Sequence, residues 1–411
     1  MNIAFVVGKF PSLSITFIIN QIVGLIERGH KVDIFSTAHE EGEIAFHPEI
    51  EKYHILESTT YLPLVSRSPF RQSIKGLCRV GTHFLRAPKF YSEIFFSPLK
   101  YHSRISFLMQ NYSEVFYDRK CQYDIIHCHF LTHGLDSLAI KKLTKNEAKI
   151  IVTFHGYDVN VPDNIRCSPL VRDLVFQEAD LYTSNTSYTA MKAIKLGCPS
   201  DKIQILPVGL DLSKYKFSPP KYQPGETIRL LSVGRLVEKK GLAFSIQAFA
   251  KVALEHPNIE YQIVGDGPLR DRLERLSHDL GVAEKITFLG GKTQDIVRGI
   301  YQKSHIFMLP SVTAPNGDME GQALVLQEAQ AIGLPVISTL HNGIPDGVLD
   351  GQSGFLVPER DVDSLAEKLL YLIKHPETWH QMGTVGRKFI EKKYDLNMLN
   401  DRLVELYRSC L

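Results

Sequence analysis

Short, almost continuous runs of apolar residues alternate along the chain with longer segments in which apolar residues recur every three or four positions. The short runs predict strands that are buried on both faces, and the longer segments predict amphipathic helices. In the first half of the chain the predicted strands are Ile3–Val7, Lys31–Phe35, Asp124–His127, Lys149–Thr153, Leu181–Ser184 and Ile203–Leu206. The pattern restarts with strands at Ile228–Val233, Glu260–Val264, Lys285–Phe288, His305–Leu309 and Leu334–Ser338.

This alternation is typical of an α/β fold with mostly parallel sheets that carry helices on both faces. Lys214–Glu226 is rich in proline and separates the two series, as a linker would. We therefore predict two Rossmann-like, doubly wound domains, 1–214 and 215–393, that face a central cleft. The amphipathic helix Tyr394–Arg408 lies in a last segment, 394–411. Ligands of open α/β sheets bind at the carboxyl ends of the strands, so chemistry is expected in the turns there.

Composition narrows the class of protein. Of 411 residues, 44% are hydrophobic and 22% are charged, as in globular proteins, and a net charge of +2 gives no general attraction to nucleic acid. The six cysteines form no Cys-x-x-Cys pair, which argues against a disulfide framework and a structural zinc site and favours a reducing compartment. The apolar N-terminal segment is too short for a signal peptide, and no run of 18 apolar residues exists. We expect a cytoplasmic protein.

Two carboxylates, Glu320 and Glu328, stand out in the second series. Glu320 follows a turn-forming run at a loop-to-helix junction, and Glu328 is predicted to lie inside the helix. At 1.5 Å of rise per residue the two would be about 12 Å apart, which suits one acid at each end of a bound nucleotide-sugar. No histidine, cysteine or third acid repeats with them at ligand spacing, so we expect no metal here.

Two glycine-rich turns follow strands of the same series. In the turn Gly234–Gly241, Arg235 and Lys240 could hold a diphosphate without a metal, because backbone N–H groups and a helix start also favour an anion there. A solvated basic turn is the alternative. The turn that contains Gly265 lacks the third glycine of Gly-x-Gly-x-x-Gly, so a tight turn in which Asp266 caps a helix is favoured over direct ligand contact.

Histidines end two strands of the first series. His155 could bond a sugar hydroxyl, although a capped loop histidine is the simpler interpretation. The run His127-Cys128-His129 resembles a zinc pattern but lacks a fourth ligand, so lining a binding site is favoured for one of the histidines. In the first strand-to-helix turn, Gly8 could bring backbone close to a phosphate, and Ser14 could cap the following helix.

Two further patterns have alternative interpretations. Asp361-Val-Asp363 matches the Asp-x-Asp motif of metal-dependent sugar transferases, but it opens an amphipathic helix, where the macrodipole favours acids. The segment 66–107 carries eight Lys or Arg and eight aromatic residues against the single acid Glu93. It could dock on anionic lipid, or it could be a helical insert with an aromatic core and a solvated basic face.

The order of these motifs resembles the retaining glycosyltransferases of family 4, which have the GT-B fold. The motifs are His155–Asp158, Gly234–Gly241, Val264–Pro268 and Glu320–Ala329. The first turn, and the residues just before Glu320, are similar to a subgroup of bacterial exopolysaccharide and colanic-acid-type transferases. That subgroup usually has glutamate where this chain has Ile15, so any contact made by that carboxylate is missing here.

The resemblance implies roles for individual residues. Arg235 and Lys240 would hold the donor diphosphate, Glu328 the ribose hydroxyls, and Glu320 the transferred sugar. As catalytic or donor-binding residues it implies His155 beside the reacting carbon, Gly8 at the distal phosphate, and Gly234, Gly265, Gly321, Gln322, Ala323 and Leu324 around the donor. The acceptor-side candidates are Lys9, Ser14, Thr16, His129 and Asp158. The final helix would return to the N-terminal domain.

The implied reaction moves a sugar from a nucleoside diphosphate to a hydroxyl of a glycan or lipid-linked acceptor, without a metal or another cofactor. Another enzyme of the same fold, such as a nucleotide-sugar epimerase or a sugar-phosphate synthase, and a non-catalytic nucleotide-sugar-binding module are the alternatives. The sequence leaves the donor base, the sugar and the acceptor open. If 66–107 binds lipid, the protein would lie at the inner face of the cell membrane.

Overall fold

A computed structural model describes residues 1–12, 15–38, 47–63, 84–85, 87–119, 121–160 and 168–411. The strands are β1 (Asn2–Lys9), β2 (Lys31–Ala38), β3 (Thr59–Tyr61), β4 (Ile125–His129), β5 (Lys149–Phe154), β6 (Leu181–Ser184), β7 (Ile203–Ile205), β8 (Ile228–Val233), β9 (Ile259–Val264), β10 (Ile286–Gly290), β11 (Ile306–Leu309), β12 (Val336–Thr339) and β13 (Gly354–Val357).

The helices of the first half of the chain are α1 (Thr16–Glu27), α2 (Pro48–Lys52), α3 (Pro88–Phe95), α4 (Ser97–Lys100), α5 (Ser103–Phe116), α6 (Gly134–Thr144), α7 (Tyr157–Asn160), α8 (Pro169–Glu178) and α9 (Ser187–Lys195). Those of the second half are α10 (Leu242–Ala253), α11 (Arg270–Asp279), α12 (Gln294–Lys303), α13 (Leu324–Ile332), α14 (Val362–Lys374), α15 (Trp379–Tyr394) and α16 (Leu396–Cys410). Among the described residues, no helix is both long and apolar enough to cross a lipid bilayer.

The strands of the described chain form two parallel sheets, with the orders β3-β2-β1-β4-β5-β6-β7 and β10-β9-β8-β11-β12-β13. In each sheet the strand order reverses next to the first strand, between β1 and β4 and between β8 and β11. Such reversals leave a crevice at the carboxyl ends of the strands, where ligands of α/β proteins bind. The predicted α/β class with two Rossmann-like domains is confirmed.

Every predicted strand is present, but two strands were not predicted. Both are edge strands: β3 is short and partly exposed, and β13 follows a polar, glycine-containing turn. An edge strand is paired on one side and covered less, so its sequence needs no continuous apolar run. The central strands do need one: β11 consists of four apolar residues, and all of them are buried.

The contacts divide the chain into an N-terminal unit (1–184, 190–206 and 400–411) and a C-terminal unit (185–189 and 207–399). The change of unit after Leu206 precedes the proline-rich segment at which the boundary was predicted. That segment packs on the C-terminal unit, because the backbone N of Ser218 donates to the carbonyl of Ile332 over 2.7 Å. Upstream of it, the amide side chain of Gln322 binds both backbone groups of Val208, at 2.7 and 2.9 Å.

The second part of α16 belongs to the N-terminal unit. Asp401 accepts a 2.7 Å hydrogen bond from Arg28 Nε, and the hydroxyl of Tyr407 lies 2.6 Å from His127 Nδ1. Asn400 packs so closely on α1 that a methyl group at Gly24 would clash with it. Residues 400–411 therefore pack within the N-terminal unit, and the side chains of Leu403 and Tyr407 are fully buried there.

Candidate functional site

The two glycine-rich turns of the C-terminal unit are hydrogen-bonded to each other. Gly234 N donates to the carbonyl of Val264 over 2.9 Å, and Leu236 N donates to the carbonyl of Asp266 over 2.9 Å. Gly265 has a φ of +135°, and a Cβ there would lie 1.9 Å from the carbonyl oxygen of Gly234. Glycine is therefore required at this position for the close approach of the two turns.

Lys240 and Glu320 form an ion pair at the carboxyl end of β8. Lys240 Nζ contacts Oε2 of Glu320, and the two side chains are 12% and 13% exposed. Burial alone would raise the pKa of Glu320, but the ammonium of Lys240, with a smaller contribution from Lys239, lowers it below its ordinary value. The structure thus brings together a cation and a carboxylate that were predicted to bind the donor.

The other cations of this turn behave differently. Lys239 donates to Asp318 Oδ1 over 3.0 Å and to the carbonyl of Met319 over 3.2 Å, so it braces the loop that precedes Glu320. The side chain of Arg235 is exposed, and within the described chain its guanidinium makes no hydrogen bond or ion pair. Arg235 is therefore a cation available to an anionic ligand.

Helix α13 begins at Leu324, so Glu320 lies in the loop and only Glu328 is helical. The separation of about 12 Å was estimated as if all eight residues between the two carboxylates were helical, and that assumption was wrong. Ala323, the N-cap, is in the left-handed conformation with a φ of 56°, which is unfavourable for a residue with a side chain. Backbone strain of this kind occurs where a loop must present its N–H groups in a fixed direction.

Glu328 is buried, with 8% of its surface exposed, and Tyr301 Oη donates to its Oε2 over 3.0 Å. Burial raises the pKa of Glu328, while the hydroxyls of Tyr301 and Tyr215 and the charge of Arg298 act against that rise. The phenols hold the carboxylate at a defined place on α13. A role in binding ribose stays a prediction.

Histidines meet at the carboxyl end of the first sheet. His129 Nδ1 lies 2.9 Å from Nε2 of His155, and the two rings stack at 5.2 Å. Phe17 and Phe130 enclose the ring of His155, each with a centroid distance of 4.6 Å. Burial lowers the pKa of His155 to about 3 and that of His129 well below its ordinary value, so both are neutral at pH 7.

His127 is fully buried, and both of its ring nitrogens have partners. Nδ1 lies 2.6 Å from the hydroxyl of Tyr407, and Nε2 lies 2.6 Å from Oγ1 of Thr153. Burial lowers the pKa of His127 to about 3. Its neighbour Cys128 is buried as well. In the described part of the chain no group of three or more histidine, cysteine or acidic side chains could hold a metal ion.

Asp158 holds the loop of His155 together. Its Oδ1 accepts from the backbone N–H groups of His155 and Gly156, each over 3.1 Å, and Oδ2 accepts from Leu131 N over 3.0 Å. Burial raises the pKa of Asp158 to about 6, against the effect of these hydrogen bonds. The carboxylate therefore shapes the turns after β4 and β5, and an acceptor contact stays a prediction.

Gly8 lies beside a histidine that the sequence analysis missed. A Cβ at Gly8 would lie 3.1 Å from Nε2 of His133, whose Nδ1 lies 3.1 Å from Asp136 Oδ2. Lys9 and Thr16 are exposed at the same turn, and α1 has Ile15 at its N-cap with no side-chain cap. Ser14, which was predicted to cap this helix, lies outside the described residues.

The Asp-x-Asp pattern is a helix start, as the favoured interpretation predicted. Asp361 is the N-cap of α14 and accepts from the backbone N of Ser364 over 2.9 Å. Asp363 pairs with Lys251. Within the described ranges, neither carboxylate belongs to a group of three or more side chains that could hold a metal ion.

Part of the basic and aromatic segment 66–107, namely residues 66–83 and 86, lies outside the described residues. In the described part, Tyr91 is fully buried, whereas Phe95, Phe96 and Leu99 are 54%, 51% and 83% exposed. Some aromatic residues of this segment are therefore core and others face solvent, and docking on anionic lipid stays a prediction.

Two family models together match most of the chain. One, described as Glycosyltransferase Family 4, matches residues 16–214, and one, described as Glycosyl transferases group 1, matches 214–389. Over its full length the chain is 31% identical to the whole of WcaL of Escherichia coli strain K12, which is named a colanic acid biosynthesis glycosyltransferase. The chain belongs to glycosyltransferase family 4. The resemblance seen in the motifs is confirmed.

A second relative of this glycosyltransferase is AmsK of Erwinia amylovora, an amylovoran biosynthesis glycosyltransferase that is 28% identical over 99% of both chains. Among solved structures, HepE of Anabaena in complex with UDP superposes with a TM-score of 0.72 at 18% identity, over all of both chains. That likeness confirms the GT-B type of fold.

Proposed function

We propose that this glycosyltransferase moves a sugar from a nucleoside diphosphate to a hydroxyl group of a glycan or lipid-linked acceptor, with retention at the anomeric carbon. The product would be an exopolysaccharide or another bacterial cell-surface polysaccharide. WcaL and AmsK, which are named for such polymers, match the chain from end to end. The UDP bound to HepE supports a nucleoside diphosphate as the carrier.

The contact between Lys240 and Glu320 is the observation that carries the proposal. A nucleotide-sugar joins an anionic diphosphate directly to a ring of hydroxyl groups. A protein that binds both needs a cation and a carboxylate side by side, and these two side chains touch. Arg235, exposed on the same turn, provides a second cation with a planar fork that suits phosphate oxygens.

The barrier of the reaction is charge separation, because the anomeric carbon becomes positive while the leaving diphosphate becomes negative. Arg235 and Lys240 would stabilise that negative charge, and removing one such donor typically costs about 3 kcal/mol in other enzymes. Glu320 and the N–H groups of Gly321–Leu324 would hold the sugar in place. With retention, the acceptor hydroxyl would attack the anomeric carbon on the same face from which the diphosphate leaves. The leaving phosphate would take the proton of that hydroxyl.

These cations would do the work that a metal does in other sugar transferases, so we propose that no metal is needed. Glu328 would bind the ribose hydroxyls from its place against Tyr301. The predicted roles of Gly8 at the distal phosphate and His155 at the sugar are part of the same proposal.

The decisive experiment is a screen of nucleotide-sugars for thermal stabilisation, because a ligand at 100 times its dissociation constant adds about 2.7 kcal/mol. The donor that stabilises is then assayed for transfer and hydrolysis, with chelator present, and the anomeric configuration of the product is read by NMR. Stabilisation without turnover of any donor would indicate a binding module. Inversion, or activity lost with chelator, would contradict retention or metal independence.

We also propose that the protein docks on an anionic membrane surface from the cytoplasm. The docking patch consists of Phe95, Phe96 and Leu99 with the exposed Lys89 and Lys100, on α3, α4 and the residue between them. Exposed aromatic and aliphatic side chains insert at the headgroup boundary, and neighbouring lysines are attracted to anionic lipid.

Pelleting with anionic vesicles tests this patch. We expect Phe96→Ser with Leu99→Ser to weaken pelleting, and Lys89→Glu with Lys100→Glu to weaken it further at low salt. Leu254→Ser is a matched control, because Leu254 is 85% exposed in the C-terminal unit. Equal pelleting of all variants, or none by the unmodified protein, contradicts the proposal.

A further inference from the structure

A buried histidine, His341, binds the backbone of the residue that is proposed to hold the sugar. His341 follows β12 and is 1% exposed. Its Nε2 lies 3.1 Å from the backbone N of Glu320, and its Nδ1 lies 2.6 Å from Oε1 of Glu359. The imidazole therefore bridges a carboxylate and the loop that carries Glu320.

The partners of this ring determine its tautomer. A backbone N–H can only donate, so Nε2 must carry the lone pair, and a carboxylate accepts, so Nδ1 must carry the hydrogen. The ring hydrogen is thus on Nδ1, and the lone pair of Nε2 faces the backbone N–H of Glu320. A second proton on Nε2 would face the N–H of Glu320 and break that hydrogen bond.

Glu359 also ties down the beginning of the same loop. Its Oε2 accepts from the backbone N of Thr313 over 2.8 Å and from Arg360 Nη1 over 3.2 Å, and Arg360 also donates to the carbonyl of Thr313. Burial alone would raise the pKa of Glu359, but the Thr313 N–H, His341 and Arg360 lower it, so it is charged. One carboxylate therefore anchors the loop directly at Thr313 and, through His341, at Glu320.

We propose that His341 and Glu359 are positioning residues: they fix the backbone of Glu320 so that its carboxylate points at the transferred sugar. The inference rests on the proposed function of Glu320. Lys240 restrains the carboxylate from the other side, but a flexible lysine cannot fix the direction of the peptide. Sugar transfer should then depend on His341, whereas binding of the nucleoside diphosphate should not.

Three variants test this role. His341→Leu removes both hydrogen bonds at similar volume. His341→Gln can keep both, because an amide oxygen can accept from Glu320 N while the amide nitrogen donates to Glu359. Glu359→Gln keeps an acceptor for Nδ1 but loses the charge. For each we would measure the affinity for UDP and GDP without sugar, and kcat and KM with the donor found in the screen.

His305 offers a matched control in the same unit. It is 2% exposed, its Nδ1 lies 2.9 Å from the backbone N of Arg229, and its Nε2 faces Glu226 at 3.8 Å. It stands just before β11, at the amino end of the sheet and away from the candidate site. His305→Leu should therefore lower stability while kcat stays within about twofold of the unmodified protein.

We expect His341→Leu to lose about 10- to 100-fold in kcat, with nucleoside diphosphate affinity within about twofold, and His341→Gln to recover at least about tenfold of that loss. If His341→Leu does not fold, the same two quantities, kcat and nucleoside diphosphate affinity, are compared among His341→Gln, Glu359→Gln and His305→Leu to test the inference. Unchanged kcat in His341→Leu, or an equal loss of nucleotide affinity, overturns the inference. An unmodified protein that binds no nucleotide and turns over no donor overturns the proposed function as well.

Discussion

The Lys240–Glu320 pair should contribute to stability as well as to donor binding. Replacing Lys240 by Met would leave the Glu320 carboxylate with only 13% of its side chain exposed and without its cation. The cost has a ceiling, because the carboxyl can take up a proton instead. At pH 7, protonating a group with an ordinary pKa of 4.5 costs about 2.5 × 1.36, or 3.4 kcal/mol. We therefore expect Lys240→Met to destabilise the C-terminal unit by about 2 to 3 kcal/mol.

The stability difference between the unmodified protein and Lys240→Met should depend on pH, because the cost of protonating Glu320 falls as the pH falls. In the unmodified protein the pKa of Glu320 is lowered, so its stabilising effect is present above pH 4.5 and is lost on acidification through the folded-state pKa. In Lys240→Met the pKa of Glu320 is raised, so charged Glu320 costs stability above pH 4.5. At pH 5.5 the ceiling is about 1.4 kcal/mol, and the difference between the two proteins should shrink accordingly.

Urea unfolding followed by tryptophan fluorescence measures this unit selectively. Trp379, the single tryptophan of the sequence, is fully buried in the C-terminal unit. Glu320→Gln in the Lys240→Met background should restore about 2 kcal/mol, because no buried charge is left, yet turnover should stay lost in the double variant. A coupling energy below about 0.5 kcal/mol, or a double variant no more stable than Lys240→Met, would refute the reasoning.

Two further predictions concern the turns and the histidines. Gly265→Ala should lower the free energy of unfolding of the C-terminal unit by more than about 3 kcal/mol, because its Cβ would lie 1.9 Å from a backbone carbonyl oxygen. Gly281→Ala is the control: it has a φ of +69° but open space around it, and it should cost about 1 kcal/mol in the same urea titration. The N-terminal unit should lose stability on acidification. His127 and His155 have pKa values of about 3 in the folded state, whereas in the unfolded chain they bind protons below about pH 6.5. Proton binding therefore favours the unfolded state between these pH values. At pH 5 the two histidines together cost about 4 kcal/mol, and Asp158, with a pKa raised to about 6, returns about 1 kcal/mol. Hydrogen exchange of β4 and β5 between pH 7 and pH 5 checks this net loss, which should be at least about 3 kcal/mol, because His129, whose pKa is also lowered, adds to it. Protection that is independent of pH, after correction for intrinsic exchange, would contradict the prediction.

The pattern of apolar residues was enough to predict the central strands. Central strands such as β1 and β11 are buried on both faces and therefore need an unbroken apolar run, which is visible in the sequence at Ile3–Val7 and Ile306–Leu309. The edge strands β3 and β13 were not predicted, because each pairs with one neighbour and is partly exposed, so its residues need not all be apolar. The predicted site residues were sought in the turns after the strands, because ligands of parallel sheets bind there, and the structure places those turns at the carboxyl ends of the central strands.

The partners of those residues could not be read along the chain. Glu320 was predicted at a helix end, but the loop before α13 brings it to Lys240. The turn after β12 brings His341 to its backbone, and the turn after β13 brings Glu359 to His341. Each of these pairs is distant in sequence and is made by the order of strands in the sheet.

The sequence by itself determined the α/β class, the central strands and the family, because buried strands and glycine-rich turns restrict residue type locally. Only the tertiary structure decided which charges touch and which side chains are already engaged. Gln322 binds Val208, and Asp158 holds three backbone amides, although both had been assigned to ligands from the motif alone. The physical reason is that hydrogen bonds and ion pairs depend on distances set by packing, whereas periodicity records only burial.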